Sequence, residues 1–180
     1  IAHIDDLQQI RVGPRSAGSN PGPACYKLGG TSPTVTDADL ILGKLSEDSF
    51  AGGSIKLNKT ESNKAIKSNI GDKISAPEKI AAYGVSEVVD ENMANAARVH
   101  AVENGEDLTD YIMIAFGGAA PLHASRISEK LGIKTFLIPV GAGVGSALGF
   151  LHAPFSFEAT RSYYSTILNF DSKHTKTIFS

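Results

Sequence analysis

The sequence holds one cysteine, Cys25, among 180 residues. One thiol excludes an intrachain disulfide framework and cannot alone build a cysteine metal site. No apolar run approaches the ~18 residues that a membrane-spanning helix needs. The stretch Ile1 to Ile10 carries acidic and amide side chains where a secretory leader has a basic stretch followed by an apolar one. Neither sign of charge dominates: 17 Lys and Arg stand against 19 Asp and Glu, a formal net charge of −2. That balance gives no electrostatic reason to expect nucleic acid or an anionic membrane. What remains is an ordinary globular composition, 42% hydrophobic. It is expected in a reducing, cytoplasmic setting, without nucleic acid or membrane among its partners.

Several nucleotide and hydrolase signatures are missing too. There is no G-x-G-x-x-G with an acid after the next strand, so a dinucleotide fold is excluded. There is no Gly-Lys-Ser/Thr and so no Walker loop. The hydrolase elbow G-x-S-x-G is absent, because Ser146 in "GVGSALG" lacks the right flanks.

What is present begins with "IAHIDDLQQIRVGP", two short strands with a turn at Asp5-Asp6. A hairpin alone needs further strands for stability. "GSNPGPACYKLGGTSPT" is too rich in Gly, Pro, Ser and Thr for regular structure. It is long for a simple connection. "TVTDADLILGKL" predicts a short helix capped by Thr36 or Asp37 and ending near Gly43. A polar amphipathic helix is expected over about Thr60 to Asn69. The long helical pattern runs from about Ala76 to Asn104, with Pro77 in the first turn and Gly105 as the stop. Val85, Val89, Met93, Ala96 and Val99 make its apolar stripe, Glu87, Asp90 and Glu91 fall off it, and Gly84 is a candidate interruption.

The second half reads strand, helix, strand, helix, which is α/β. "YIMIAF" runs into Gly117 and Gly118, a helix covers about Leu122 to Leu131, and Gly132 stops it. Strand "KTFLIPV" then leads to a second glycine corner, "GAGVGSALGF". In α/β units ligands sit at the carboxyl ends of strands, near helix N-termini. Gly117 and Gly118 fall there. Their bare backbone suits close approach by a ribose or phosphate, and equally suits a tight packing corner.

Four separated stretches bear on that choice. "FGGAAPLHA", "RVGPRSAGSNPGPACY", "PTVTDADLILGKL" and "GAGVGSALGFLHAPFSFEATRS" occur in an order that resembles the hydantoinase A/5-oxoprolinase family. That family includes the nucleotide-binding subunits of acetone and acetophenone carboxylases. The similarity runs from Ile1 to about Tyr164. It implies part of an actin/sugar-kinase/Hsp70-like ATPase fold, with a mixed sheet and packed helices. It implies use of ATP and Mg²⁺ to activate a cyclic amide or ketone carbonyl for hydrolysis or carboxylation. A hydantoinase B-type subunit is the implied partner. "YIMIAFGGAAPLHA" matches the adenosine-contacting segment, and "GAGVGSALGF" the helix that packs across the interdomain hinge. Gly117, Gly118, Ala119, His123, Gly143, Gly145 and Ser146 are therefore the expected nucleotide contacts. One position departs: the family usually reads Gly-Gly-Ala-Gly-Pro-Leu-His-Ala, and here Ala120 stands for the third glycine.

The resemblance places the family's phosphate-binding loops upstream of Ile1. Gly29-Gly30-Thr31 follows Leu28, not an acid. The chain is thus expected to be a piece of a longer one. Residues 1–155 would be the C-terminal part of the ATPase domain, and 156–180 the start of a following segment. A non-catalytic domain that keeps the fold is the alternative.

Other residues keep two readings. Asp37 and Asp39 flank Ala38, and Asp37 is either a helix cap or a Mg²⁺ ligand. Cys25 has no nameable base and reads as a small buried residue rather than a nucleophile. His123 is a ligand contact or a local cap. His3, His100, His152 and His174 lack metal-ligand spacing. Arg98 and Glu103 match the family's helix pattern and read otherwise as an ion pair.

Overall fold

A computed structural model describes residues 1–178; the last two positions of the expected 156–180 segment lie outside it. The chain forms two compact units that divide after Gly145.

The first unit opens with an antiparallel hairpin of β1 (Ala2–Ile4) and β2 (Ile10–Val12), registered Ala2 to Val12 and Ile4 to Ile10. The turn is wider than Asp5-Asp6. The Asp5 carboxylate accepts N–H bonds from Leu7 and Gln9 and holds a five-residue loop, residues 5–9. This hairpin needs no further strands, because a helix covers it: Ala2, Ile4, Ile10 and Val12 pack with Ala81, Ala82 and Val85.

Helix α1 (Val35–Ile41) is capped by Thr34, two residues before the expected Thr36. The Thr34 hydroxyl takes the Asp37 N–H while Asp37 takes the Thr34 N–H, a reciprocal capping box. Asn58 caps α2 (Lys59–Ile66) by accepting the Glu61 N–H. A π turn, Lys67–Gly71, and the short α3 (Asp72–Ile74) follow.

The long α4 (Glu78–Asn104) is one helix and begins just after Pro77. Gly84 does not interrupt it. A Cβ there would lie 2.6 Å from Ile10 Cδ1, so glycine is what lets β2 approach. The buried stripe also differs from the expected one. Val85 is buried as expected, but beyond it the buried residues are Ser86, Asp90, Ala94 and Ala101, about one residue round the helix, with Ala81 and Ala82 buried before it. Met93 is 39% and Val99 58% exposed. Small residues won because α1 and α5 pack against this face, and close helix packing favours short side chains.

Helix α5 (Ala120–Leu131) ends at Gly132 and lies between β3 (Met113–Ile114) and β4 (Phe136–Leu137), which pair in parallel. The six-residue strand expected at 111–116 shortens to two residues, since β4 is its one described partner. The sheet's covered side meets Ala94, Ile127, Leu131 and Ile133 through Met113. Ile112, Ile114 and Leu137 are exposed. Strand–helix–strand with flanking helices is α/β, as expected.

The second unit holds all but the first residue of α6 (Gly145–His152), an irregular stretch over 153–166, and α7 (Ser172–Ile178), whose first N–H groups go to the Asp171 carboxylate. Among the described residues no helix is long and apolar enough to cross a membrane.

Candidate functional site

The glycine corner follows β3 directly. Ala115 donates its N–H to Leu137 O at 2.9 Å, and Gly117 donates to Ala142 O at 2.7 Å. That second bond draws the two glycine corners together. Gly117 has φ +98°, which disfavours any side chain there. A Cβ built at Gly117, Gly118 or Gly143 would meet nothing within 4 Å. These glycines are therefore not packing devices: they border open space. Gly145 is different, as its Cβ would touch the Phe116 ring at 3.6 Å.

Helix α5 starts at Ala120 after Ala119, with Pro121 in its first turn and no side chain capping it. Pro121 carries no N–H, and the Leu122 N–H goes to Ala119 O at 3.0 Å. Ala120 is helical and is not a positive-φ position. The methyl in place of the family's third glycine costs this backbone nothing. Ser146 lies on α6 in the second unit.

His123 points the other way, into the protein. It is 2% exposed and lies between two carboxylates, each also 2% exposed. Nδ1 is 2.6 Å from Asp90 Oδ1 of α4, and Nε2 is 3.3 Å from Asp39 Oδ2 of α1. Both ring nitrogens are taken, so none is left for a ligand. Lys44 extends the group. Its ammonium donates to Ser86 Oγ at 2.8 Å and lies 3.2 Å from Asp39 Oδ1. That oxygen still accepts no well-aligned hydrogen bond. The carboxylates of Asp39 and then Asp90 hold the His123 imidazole up at about 9, against the opposing pull of burial and of Lys44. The group sits between two apolar clusters, one around Val85 and one around Ala94.

Asp37 is fully buried. Its oxygens accept five hydrogen bonds, from Ala24 N–H, Cys25 N–H, Thr34 N–H, Thr34 O–H and Ser62 O–H. A carboxylate offers about four lone-pair directions. Its acceptor capacity is full, and a Mg²⁺ ion would find no free oxygen face. Among the described residues no group of three or more His, Cys, Asp and Glu is arranged to hold a metal. The residues present do not fit Mg²⁺. Bare backbone at Gly117, Gly118 and Gly143 beside open space leaves room for a ligand to approach the main chain.

Cys25 is buried beside Asp37. Burial first, and the Asp37 charge second, push its thiol up to about 12. It should stay protonated and unreactive. We expect iodoacetamide at pH 8 to label Cys25 at least roughly a hundredfold more slowly in the folded protein than in urea, because the thiolate is the nucleophile. Mass spectrometry of labelled peptide measures the ratio, and comparable rates would refute the assignment.

Reading for apolar periodicity missed Asp90, Lys44, Ser86 and Ser62. One signal was available: Ala82, Ser86, Asp90 and Ala94 recur every four residues, a small-residue stripe with a polar centre.

Comparison with known proteins brings these observations together. The sequence profile of the Hydantoinase/oxoprolinase family matches residues 1–159. An uncharacterized protein of Methanocaldococcus jannaschii is 42% identical over 99% of this chain and 26% of its own length. The caprolactamase alpha subunit of Pseudomonas jessenii is 44% identical over 83% of this chain and 21% of its own. The crystal structure of that ATP-dependent caprolactamase superposes with a TM-score of 0.74, over 22% of the matched chain. A nucleotide-free acetone carboxylase, studied for ATP-dependent acetone carboxylation, gives 0.76 at 32% identity, over 82% of this chain and 21% of that one. The chain thus spans about a fifth to a quarter of the length of these relatives.

Proposed function

The chain belongs to the hydantoinase/oxoprolinase family, and from that premise we propose that it forms the adenosine-facing part of an ATP-dependent enzyme acting on cyclic amides. The fold of the longer protein would be the actin/sugar-kinase/Hsp70-like ATPase fold, and its partner a hydantoinase B-type subunit. One observation carries the reading: the paired glycine corners, joined by Gly117 N–H to Ala142 O, present backbone to open space at Gly117, Gly118 and Gly143. In this reading Gly117, Gly118 and Ala119 line the nucleoside, and Gly143 of the second corner adds bare backbone beside open space. ATP, when bound, supplies the activation of the carbonyl oxygen. The chain's own residues bind and orient.

Gly118 provides the test. It lies outside the left-handed region and its Cβ would meet nothing, so Gly118→Val should fold. The branched side chain would occupy the space proposed for the nucleoside. ATP affinity of the full-length protein should fall more than tenfold, or about 1.4 kcal/mol. Calorimetry reads it, and unchanged affinity in a folded variant refutes the site.

A carboxylase subunit is the second reading, favoured by the acetone carboxylase superposition, which is as close as that with caprolactamase. Phosphate release from ATP separates the two. Stimulation by a lactam supports the hydrolase, and stimulation that needs both ketone and bicarbonate supports the carboxylase.

A further inference from the structure

We propose that His123 is a positioning residue: held between Asp39 of α1 and Asp90 of α4, it fixes the first turn of α5 and thereby the backbone of the glycine corner, and it does not itself touch the nucleotide. This deepens the proposed site and rests on that reading for its link to ATP.

The argument starts from how α5 is held. Its C-terminal part is buried through Ile127, Ser128 and Leu131. Outside that core, Arg126 and Lys130 bind Glu87 of α4. Toward the N-terminus only His123 and Ala124 are buried. No side chain caps the helix, and Ala119 and Ala120 offer none that could. The one polar anchor of this end is therefore the imidazole. It is the fourth residue of the helix, about one turn from the corner.

The anchor has the geometry for that role. Its two nitrogens face carboxylates on two different helices, so the ring crosses between α1 and α4. A single hydrogen bond leaves a ring free to swing about that bond, whereas two opposed ones fix its position. Lys44 is the other charged group facing the cluster, through Asp39, and Ser86 holds Lys44. The carboxylates meet opposite ends of the ring rather than converging on a point, consistent with a clamp and not with a metal site.

The test uses the full-length protein and two readouts. Amide hydrogen exchange over residues 115–122 reports the corner directly, and calorimetry reports ATP affinity. His123→Gln and Asp90→Asn keep comparable size. Each should speed exchange at the corner at least tenfold and weaken ATP about tenfold. The double variant should lose no more than the worse single one, because both act through one clamp; independent sites would add. Ile127→Ala, in the α5 core, is the control: it should lower thermal stability without singling out the corner.

Unchanged corner exchange in folded His123→Gln and Asp90→Asn overturns the proposal. So does additivity in the double variant, or equal corner loosening in Ile127→Ala at matched stability. Faster corner exchange with unaltered ATP affinity supports the clamp while removing the nucleotide reading. Weaker ATP in His123→Gln alone, with Asp90→Asn normal, marks a direct contact and also overturns the proposal.

Discussion

Asp37→Ala is expected to destabilise the protein by about 3 to 5 kcal/mol, the size that follows loss of a buried hydrogen-bond network. The carboxylate is the common acceptor for the Gly/Pro-rich loop, for the start of α1 and for α2. Through Ala24 N–H and Cys25 N–H it holds the loop, through Thr34 its own helix, and through Ser62 O–H at 2.7 Å the neighbouring helix. Truncation orphans all of these donors in a place water does not reach. Asp37→Asn keeps the shape but turns an NH₂ group toward donors, so it should cost nearly as much. Thr34→Ala removes the cap alone and should cost about 1 kcal/mol. Urea denaturation with unchanged m-values gives the ranking. A loss below about 1 kcal/mol for Asp37→Ala would mean that the loop finds other acceptors and that the hub account is wrong.

The second large effect is a pH dependence. In the folded chain the His123 imidazole sits at about 9, raised from 6.5 by Asp39 and Asp90. The folded state therefore binds this proton more tightly than the unfolded state does. Its stabilising contribution is complete below about 6.5 and disappears as pH rises through about 9. At roughly 1.4 kcal/mol per pKa unit this amounts to a few kcal/mol. Thermal midpoints at pH 6, 8 and 10 should fall more steeply in the natural protein than in His123→Gln. The gap between the two should be widest at pH 6. Asp39, Asp90 and Lys44 are the charged groups facing the ring, and Lys44→Met should raise the histidine further by removing a like charge. A gap that stays constant from pH 6 to 10 would show that folding does not raise this imidazole above its unfolded value.

The two clusters also show what reading along the chain misses. Gly105 and Gly132 were legible as helix stops, because a left-handed residue after a periodic run has a local signature. Family membership was legible from four short stretches in order. The α4 stripe was legible only at Val85. Apolar periodicity put Met93 and Val99 inside and Asp90 outside, whereas Asp90 is buried and the other two are not. Hydrophobicity scales treat every aspartate as solvated, and only a partner on another helix makes burial tolerable. Thr34 was not read as the cap, Thr36 and Asp37 being preferred, although Thr34-Val35-Thr36-Asp37 carries the capping-box spacing.

By itself, then, the sequence determined the α/β class, the presence and order of the main helices, the glycine corners and the family. All of these rest on local signals: caps, glycine conformations, periodicity and motif order along one chain. Only the tertiary structure decided that Asp37 is a filled hydrogen-bond hub, that His123 turns inward, and that Gly117 and Gly118 border open space. Each of those depends on groups distant along the chain, such as His123 and Asp39, 84 positions apart in the numbering. Whether a carboxylate is a ligand or a strut is set by which donors surround it, and only packing brings those donors together.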